Sequence, residues 1–470
     1  MIRDSMPWLG AAGATVIFGL LVAMGTTWTD LGFSGAGDAE VAPFAFTTII
    51  AFLVFLIIGS RMGSGPDHTW LLKWVIIGFA AKVVGTIARF YMVVALYGGG
   101  DSYRYFRVGT EFAESWRRGQ IPTLSDSGAF GTQILEYLTG ILLAVFTPEM
   151  MVGFLLFSLF AYGGQLMLYA AFRRWAKPWQ LKPYALLLLF LPSFVFWPSS
   201  IGKDAIVVFA VGAAAYFSAR VLDTYEVRFL VGLALSLGLL GLIRVHVAGL
   251  VVVGLILAGL ISKMRADAGA TVRLRRLLTV GSFIAAAAVL WAVFPDIFGV
   301  DLTSVESLDS FTSDVVRRTS EKGTVAAGGP VAGPGDVPGA IVLALFRPLI
   351  TEASELQHFF AAAETTLLLG VALWKLPAMV RNWRSWRPNG FLVFSTFYVI
   401  SYSIAFSVVR NLGIIARQRG QVLAFFLAVL VGLGWEERRE RIVNLSDLTP
   451  RPELTPPREP RLATTRPPGR

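Results

Sequence analysis

There is no cysteine among the 470 residues. Disulfides, thiolate nucleophiles and cysteine metal sites are therefore excluded. Histidine is almost as scarce. His68, His246 and His358 are the only ones, no two of them close in sequence, which argues against a histidine metal centre. Charge is thin as well: Asp, Glu, Lys and Arg make up 15% of the chain, against roughly 25% in an average soluble domain. So little polar surface argues against a soluble enzyme, a disordered chain or a nucleic-acid-binding domain. No Asp-x-Asp motif for a metal-bound nucleotide sugar occurs anywhere.

What is present is apolar. The chain is 55% hydrophobic, with a mean hydropathy of +0.64. Spanning a bilayer as a helix takes roughly 20 apolar residues. Segments of that kind run over 8–27, 41–59, 70–97, 132–147, 149–172, 183–198, 203–222, 228–243, 245–262, 277–295, 339–351, 359–376, 390–409 and 421–434. The expected fold is all-α and polytopic, with about 12 transmembrane helices, one or two re-entrant or short helices, and external amphipathic helices. The two weakest segments, 132–147 and 339–351, are the re-entrant candidates. The chain divides into an N-terminal transmembrane hairpin (1–69), a membrane domain (70–434) with long loops at 98–131 and 296–337, and a Pro/Arg-rich tail (435–470) expected to be disordered. Residues 319–337 are rich in Gly and Pro and suit a mobile flap.

The net charge of +10 follows the positive-inside rule rather than a nucleic-acid footprint. Arg173, Arg174, Lys177 and Lys182 form one loop cluster, Lys263, Arg265, Arg273, Arg275 and Arg276 a second, and Arg381, Arg384 and Arg387 a third. All should be cytoplasmic, together with the tail. The acidic loop 28–40 has no basic residue and fits outside. With a cytoplasmic N-terminus, 98–131 is external and 132–147 enters and leaves on one side. The opposite N-terminal orientation puts 98–131 inside. Residues 101–118 read as an interfacial amphipathic helix, with Tyr105, Gly109, Phe112 and Trp116 on one face and Arg104, Arg107, Glu111, Glu114 and Arg118 on the other.

Ionisable residues at membrane depth or at its edge are functional hypotheses by default. On the cytoplasmic-N-terminus topology, Asp101, Lys203, Asp204, Arg244, His246, Arg347, Glu352, Glu355, Glu364, Arg410, Arg417 and Arg419 all fall on the external face. Basic residues there run against the charge bias, and a bound phosphate would hold them. Each has a plainer reading. Asp101 would cap the 101–118 helix. Lys203 and Asp204 would pair locally at a helix start. His246 would bond to backbone, Glu352, Glu355 and Glu364 would be partners of Arg244, and Arg417 and Arg419 would snorkel.

The run GGGDSYRYFRVGTEFAESWRRG, then RRWAKPWQLKPYALLLLFLPSFVFWPSSIGKDAIVVFAVG, resembles the front half of GT-C superfamily membrane glycosyltransferases, which use polyprenyl-phosphate-linked sugars. The likeness covers about residues 70–222. It implies a catalytic acidic residue in the first large external loop, a position Asp101 matches. IRVHVAGL, LFRPLITEASELQHFFAAAE and RNLGIIARQRGQ are similar to segments of bacterial polysaccharide-polymerase-like membrane proteins. That likeness implies that Arg244, Arg347, Arg417 and Arg419 hold a lipid pyrophosphate. Two extra N-terminal spans depart from the basic GT-C pattern.

The expected activity is transfer of a sugar from a polyprenyl-(pyro)phosphate donor to a glycan or lipid acceptor, on the external face of a bacterial-type cytoplasmic membrane. Asp101 would be the general base. Lys203, Arg244, Arg347, Arg410, Arg417 and Arg419 would hold the phosphate, with His246, Glu352 and Glu355 binding substrate beside them. No cofactor is required, and a divalent cation bridging carboxylate and phosphate remains an alternative. A transporter or flippase of a lipid-linked glycan, and a non-catalytic subunit of a glycan assembly complex, are the competing readings.

Overall fold

A computed structural model describes residues 41–62, 67–122, 130–263, 269–298, 333–353, 356–409 and 411–436, with 313, 316, 317 and 331 besides. The expected first span (8–27), the acidic loop 28–40, most of the loop 296–337 and the tail beyond 436 lie outside the described residues. Among those described there are helices and no strand.

In chain order the helices are α1 (Val41–Met62), α2 (Asp67–Tyr91, prolonged by a π turn Met92–Leu96), α3 (Asp101–Arg117), α4 (Phe130–Val145), α5 (Met150–Arg173), α6 (Pro178–Phe190), α7 (Pro192–Val195), α8 (Lys203–Thr224), α9 (Val227–Ile261), α10 (Ala270–Phe298), α11 (Val337–Phe346), α12 (Leu356–Arg381), α13 (Gly390–Phe406), α14 (Leu412–Gln418) and α15 (Gly420–Gly434). Among the described residues six stretches are long and apolar enough to cross a bilayer, and α14 with α15, bent by 61°, makes up to seven. The outer surface of these helices is apolar: Phe46, Leu53, Leu235, Leu277, Leu367 and Trp374 are each more than half exposed. Length, composition and this apolar exterior are those of an α-helical membrane protein.

The expected count of twelve spans is not reached among the described helices, for identifiable reasons. Segment 183–198 is broken, because Pro192 and Pro198 interrupt it; α6 has 13 residues, and α7 is one turn followed by irregular chain to Gly202. Segment 339–351, a re-entrant candidate outside that count, is the ten-residue α11, about 15 Å long and too short to cross. Helix α9 has 35 residues, about 52 Å if straight. It is not straight: Arg244 has φ −147° and ψ 80°, which breaks the helix. Its two ends lie together, since Val227 follows Thr224 closely while Ser262 and Leu222 both flank Gly390. The chain therefore doubles back at Arg244, giving the two legs expected from 228–243 and 245–262.

These contacts define two ends of the bundle. At one end Arg174 bonds Asp223 at 2.8 Å, Lys263 N–H donates to the Arg387 carbonyl, Arg276 donates to the carbonyls of Gly259 and Ser262, and Asn382 donates to the Leu433 carbonyl. The three basic loop clusters thus meet at one end. At the other end Ser102 donates to the Ile201 carbonyl at 2.8 Å, His246 lies beside Phe406, and Asp101, Asp204, Arg244 and Arg417 meet.

Helices α3 and α4 run side by side across this second end. Gly109 and Gly140 let them touch: a Cβ on Gly109 would sit 2.6 Å from a Thr139 methyl. Both ends of α4 stay there, Gly131 against the Ile243 carbonyl and Leu143 against Gly153. The segment expected to enter and leave on one side is a helix laid over the bundle end.

Candidate functional site

The chain leaves α2 through a π turn and a glycine corner. Gly98 (φ 59°) and Gly100 (φ 114°) take left-handed backbone that a side chain would strain. They turn the chain into α3 at Asp101. Gly100 is the N-cap and no side chain caps this helix, so the capping reading of Asp101 is not realised. Its carboxylate, 65% exposed, opens instead onto a cavity of about 320 Å³.

Asp101, Arg104 and Tyr105 from α3, Thr132 from α4, Lys203 from α8, Arg244 from the break in α9 and Arg417 from α14 line this cavity. Beneath it lies Asp204, whose side chain is 6% exposed. It accepts from Arg244 Nη2 at 2.7 Å and from Arg417 Nε. Arg417 Nη1 is also 3.8 Å from Asp101 Oδ2. One buried carboxylate thus fixes two guanidiniums, and the second of them reaches the exposed carboxylate. Behind the opposite wall, Glu136 is buried and accepts from Arg104 Nε at 2.9 Å, which fixes that arginine in turn. Burial, and the nearby Asp101 charge, raise the Tyr105 phenol above its ordinary pKa, so it stays protonated as a hydrogen-bond donor.

Several expected pairings are replaced. Lys203 and Asp204 do not form a local ion pair; Asp204 is taken by the two arginines, and Lys203 has no ion pair among the described residues. The partner of Arg244 is Asp204, and neither Glu352 nor Glu364. Glu352 accepts from Arg347 Nε at 3.1 Å and from the Leu349 N–H at 2.8 Å. The Arg347 hydrogen bond holds the Glu352 carboxyl below its usual range. Glu364 accepts from the Ser193 hydroxyl and N–H at 2.9 and 3.1 Å.

Neither Arg417 nor Arg419 snorkels. Arg417 is ion-paired, and Arg419 is 1% exposed and donates to the Arg347 carbonyl. Arg347, Glu352 and Arg419 form a separate cluster that does not line the cavity, and His246 lies outside it beside Phe406, ring centroids 5.9 Å apart. Glu355 and Arg410 lie outside the described residues.

Of the expected site residues, the structure therefore brings together Asp101, Lys203, Arg244 and Arg417. Sequence reasoning missed the roles of Asp204 as the clamp and of Arg104, Tyr105, Thr132 and Glu136 as walls. It also passed over Lys82 and Arg89, both buried within the span 70–96. The rule that makes a charge inside a span a functional hypothesis would have found these two. Nothing local links Arg104 to Glu136. The chain matches no family model, and neither a curated protein nor a solved structure is similar to it.

Proposed function

We propose that this protein is a membrane glycosyltransferase or glycan polymerase that takes a sugar from a polyprenyl-(pyro)phosphate donor. The observation that carries the reading is an exposed carboxylate, Asp101, sharing a membrane-end cavity with Lys203, Arg244 and Arg417. In the reaction, Asp101 removes the acceptor hydroxyl proton. The acceptor oxygen forms a bond to the anomeric carbon as the bond from that carbon to the phosphate oxygen breaks. The electron pair leaves with the lipid phosphate, whose developing charge Lys203, Arg417 and Arg244 stabilise. Asp204 and Glu136 orient the arginines, and Arg104 and Thr132 offer donors to sugar hydroxyls. Among the described charges that line the cavity or clamp its lining, Arg104, Lys203, Arg244 and Arg417 outnumber Asp101, Asp204 and Glu136 by one. That excess suits an anionic substrate.

The cavity lies at the end away from the basic loop clusters. On the positive-inside rule this makes it external in a cytoplasmic-type membrane.

A second reading, a lipid-linked glycan or anion transporter, is favoured by one observation. The one-turn α7 after α6 is held inside the bundle by buried groups, Lys82 Nζ and Gln165 Nε2 both donating to the Phe194 carbonyl. Broken helices of this kind line transport sites.

Purified protein given a polyprenyl-linked sugar and an acceptor separates the two. Wild type should form glycosylated product, and Asp101→Asn should lower the transfer rate by about 100-fold or more. Full transfer by Asp101→Asn rejects the assignment of the base. Lipid movement in liposomes without transfer from any donor favours the transporter.

A further inference from the structure

Arg89 is a buried charge that the cavity does not explain. It sits near the Asp101 end of α2, is 8% exposed, and belongs to a span. Its guanidinium lies over two aromatic faces, 5.3 Å from the Phe196 ring centre and 5.0 Å from that of Trp197. Nη1 meets only the Met92 sulfur, at 3.8 Å, a weak acceptor. Nε is buried without a hydrogen-bond partner among the described residues. A guanidinium desolvated this far, with no ion pair among the described residues, is costly unless an anion completes it. Asp204 and Arg417 are within its electrostatic reach, so it lies beside the cavity residues on the α2 side.

The surroundings indicate from which side an anion would come. Helices α2 and α12 both pack on the short α7, which stands between them, and make little contact with each other. The wall of the bundle is filled there by irregular chain, with Pro192 exposed and Phe196 half-buried. Non-helical backbone is tolerated at membrane depth where it lines a cavity or is covered by other groups. The end of α2 beyond Arg89 presents exposed apolar groups, Tyr91, Leu96 and Tyr97, and the start of α12 presents Phe359 and Phe360. An aromatic cradle with a cation at its inner end and apolar flanks matches a ligand with a phosphate head and a hydrocarbon chain.

We infer that Arg89, cradled by Phe196 and Trp197, binds the phosphate of an isoprenoid lipid whose chain lies over α7, along the outer face between α2 and α12. This deepens the proposed function and rests on it: that face is the route by which the lipid-linked donor reaches the cavity from within the membrane. The aromatic faces hold the guanidinium without neutralising it, which leaves its N–H groups for the phosphate.

The test is binding of three probes to the full chain in detergent, read by native mass spectrometry: a polyprenyl monophosphate, the corresponding polyprenol, and inorganic phosphate. Arg89→Gln should weaken polyprenyl phosphate binding by about tenfold or more, the loss of one charge-assisted contact. It should leave polyprenol binding unchanged, and Arg89→Lys should retain most of the phosphate-dependent affinity. A folded Arg89→Gln that binds polyprenyl phosphate as tightly as wild type overturns the inference. So does inorganic phosphate binding as tightly as the lipid, which would make this a free-anion site. If Arg89→Gln does not fold, Phe196→Leu removes part of the cradle and keeps the charge; it should weaken lipid binding, and unchanged binding overturns the inference.

Asp101→Asn separates this from the enzymatic reading, since it should keep lipid binding and lose transfer. Transfer that depends on Asp101 but not on Arg89 sinks the lipid subsite alone. Arg89-dependent lipid binding without transfer from any donor sinks the glycosyltransferase reading alone.

Discussion

A single buried carboxylate organises the cavity. Asp204 is the shared counter-ion of Arg244 and Arg417, which would otherwise be cations facing each other without it. Removing one member of a buried charge cluster typically costs about 3–5 kcal/mol, because the partners are left unpaired. Asp204→Asn should therefore lower the thermal midpoint in detergent clearly more than Asp101→Asn, whose carboxylate is mostly exposed. Equal midpoints for the two variants would remove Asp204 from its structural role. Glu136 has the same relation to Arg104 on the other wall. Glu136→Gln should weaken acceptor use, seen as a raised KM, and Arg104→Ala should reproduce it; a wild-type KM in both variants would take this wall out of the site.

At the scale of elements, the cavity depends on how α3 and α4 lie on the bundle end. The fit is close at Gly131, where a Cβ would sit 2.8 Å from the Ile243 carbonyl oxygen. Gly131→Val must move α4 away from the break in α9, and Thr132 with it. Transfer should fall while the helical content by circular dichroism stays unchanged; wild-type transfer would show that α4 does not shape the cavity. The return after α11 is clipped by Arg347 and Glu352, and it titrates. The Glu352 carboxyl is held low in the fold, chiefly by the Arg347 hydrogen bond. Its contribution to stability is therefore present above the usual glutamate value of 4.5 and is lost as pH falls below it towards the folded value. The thermal midpoint of wild type should drop over that acid range by more than that of Glu352→Gln, and parallel curves would contradict the clip. Composition and spacing announced the long spans and the amphipathic α3, because apolar length and helical period are local properties. The break in 183–198 is legible in Pro192 and Pro198, but its packing by Lys82 is not, since that partner lies 112 residues away.

For the whole molecule, the basic loop clusters and the cavity occupy opposite ends. The chain has no cysteine, so single cysteines report sidedness without background. A cysteine replacing the exposed Arg107 on α3 should react only with reagent from one side of the membrane, and one replacing Ser385 only from the other; labelling of both from the same side would contradict the two-ended arrangement. The sequence by itself determined that the chain is helical and apolar, that its loops are charged asymmetrically, and that Asp101, Lys203, Arg244 and Arg417 are out of place where they stand. Those facts follow from residue type and local spacing, which set how costly each group is in a membrane. Only the tertiary structure decided which of them meet. Asp204, not Glu352 or Glu364, pairs with Arg244, and Arg419 is drawn into a second cluster, because a buried charge takes the counter-charge that folding brings to it, and chain distance does not encode that.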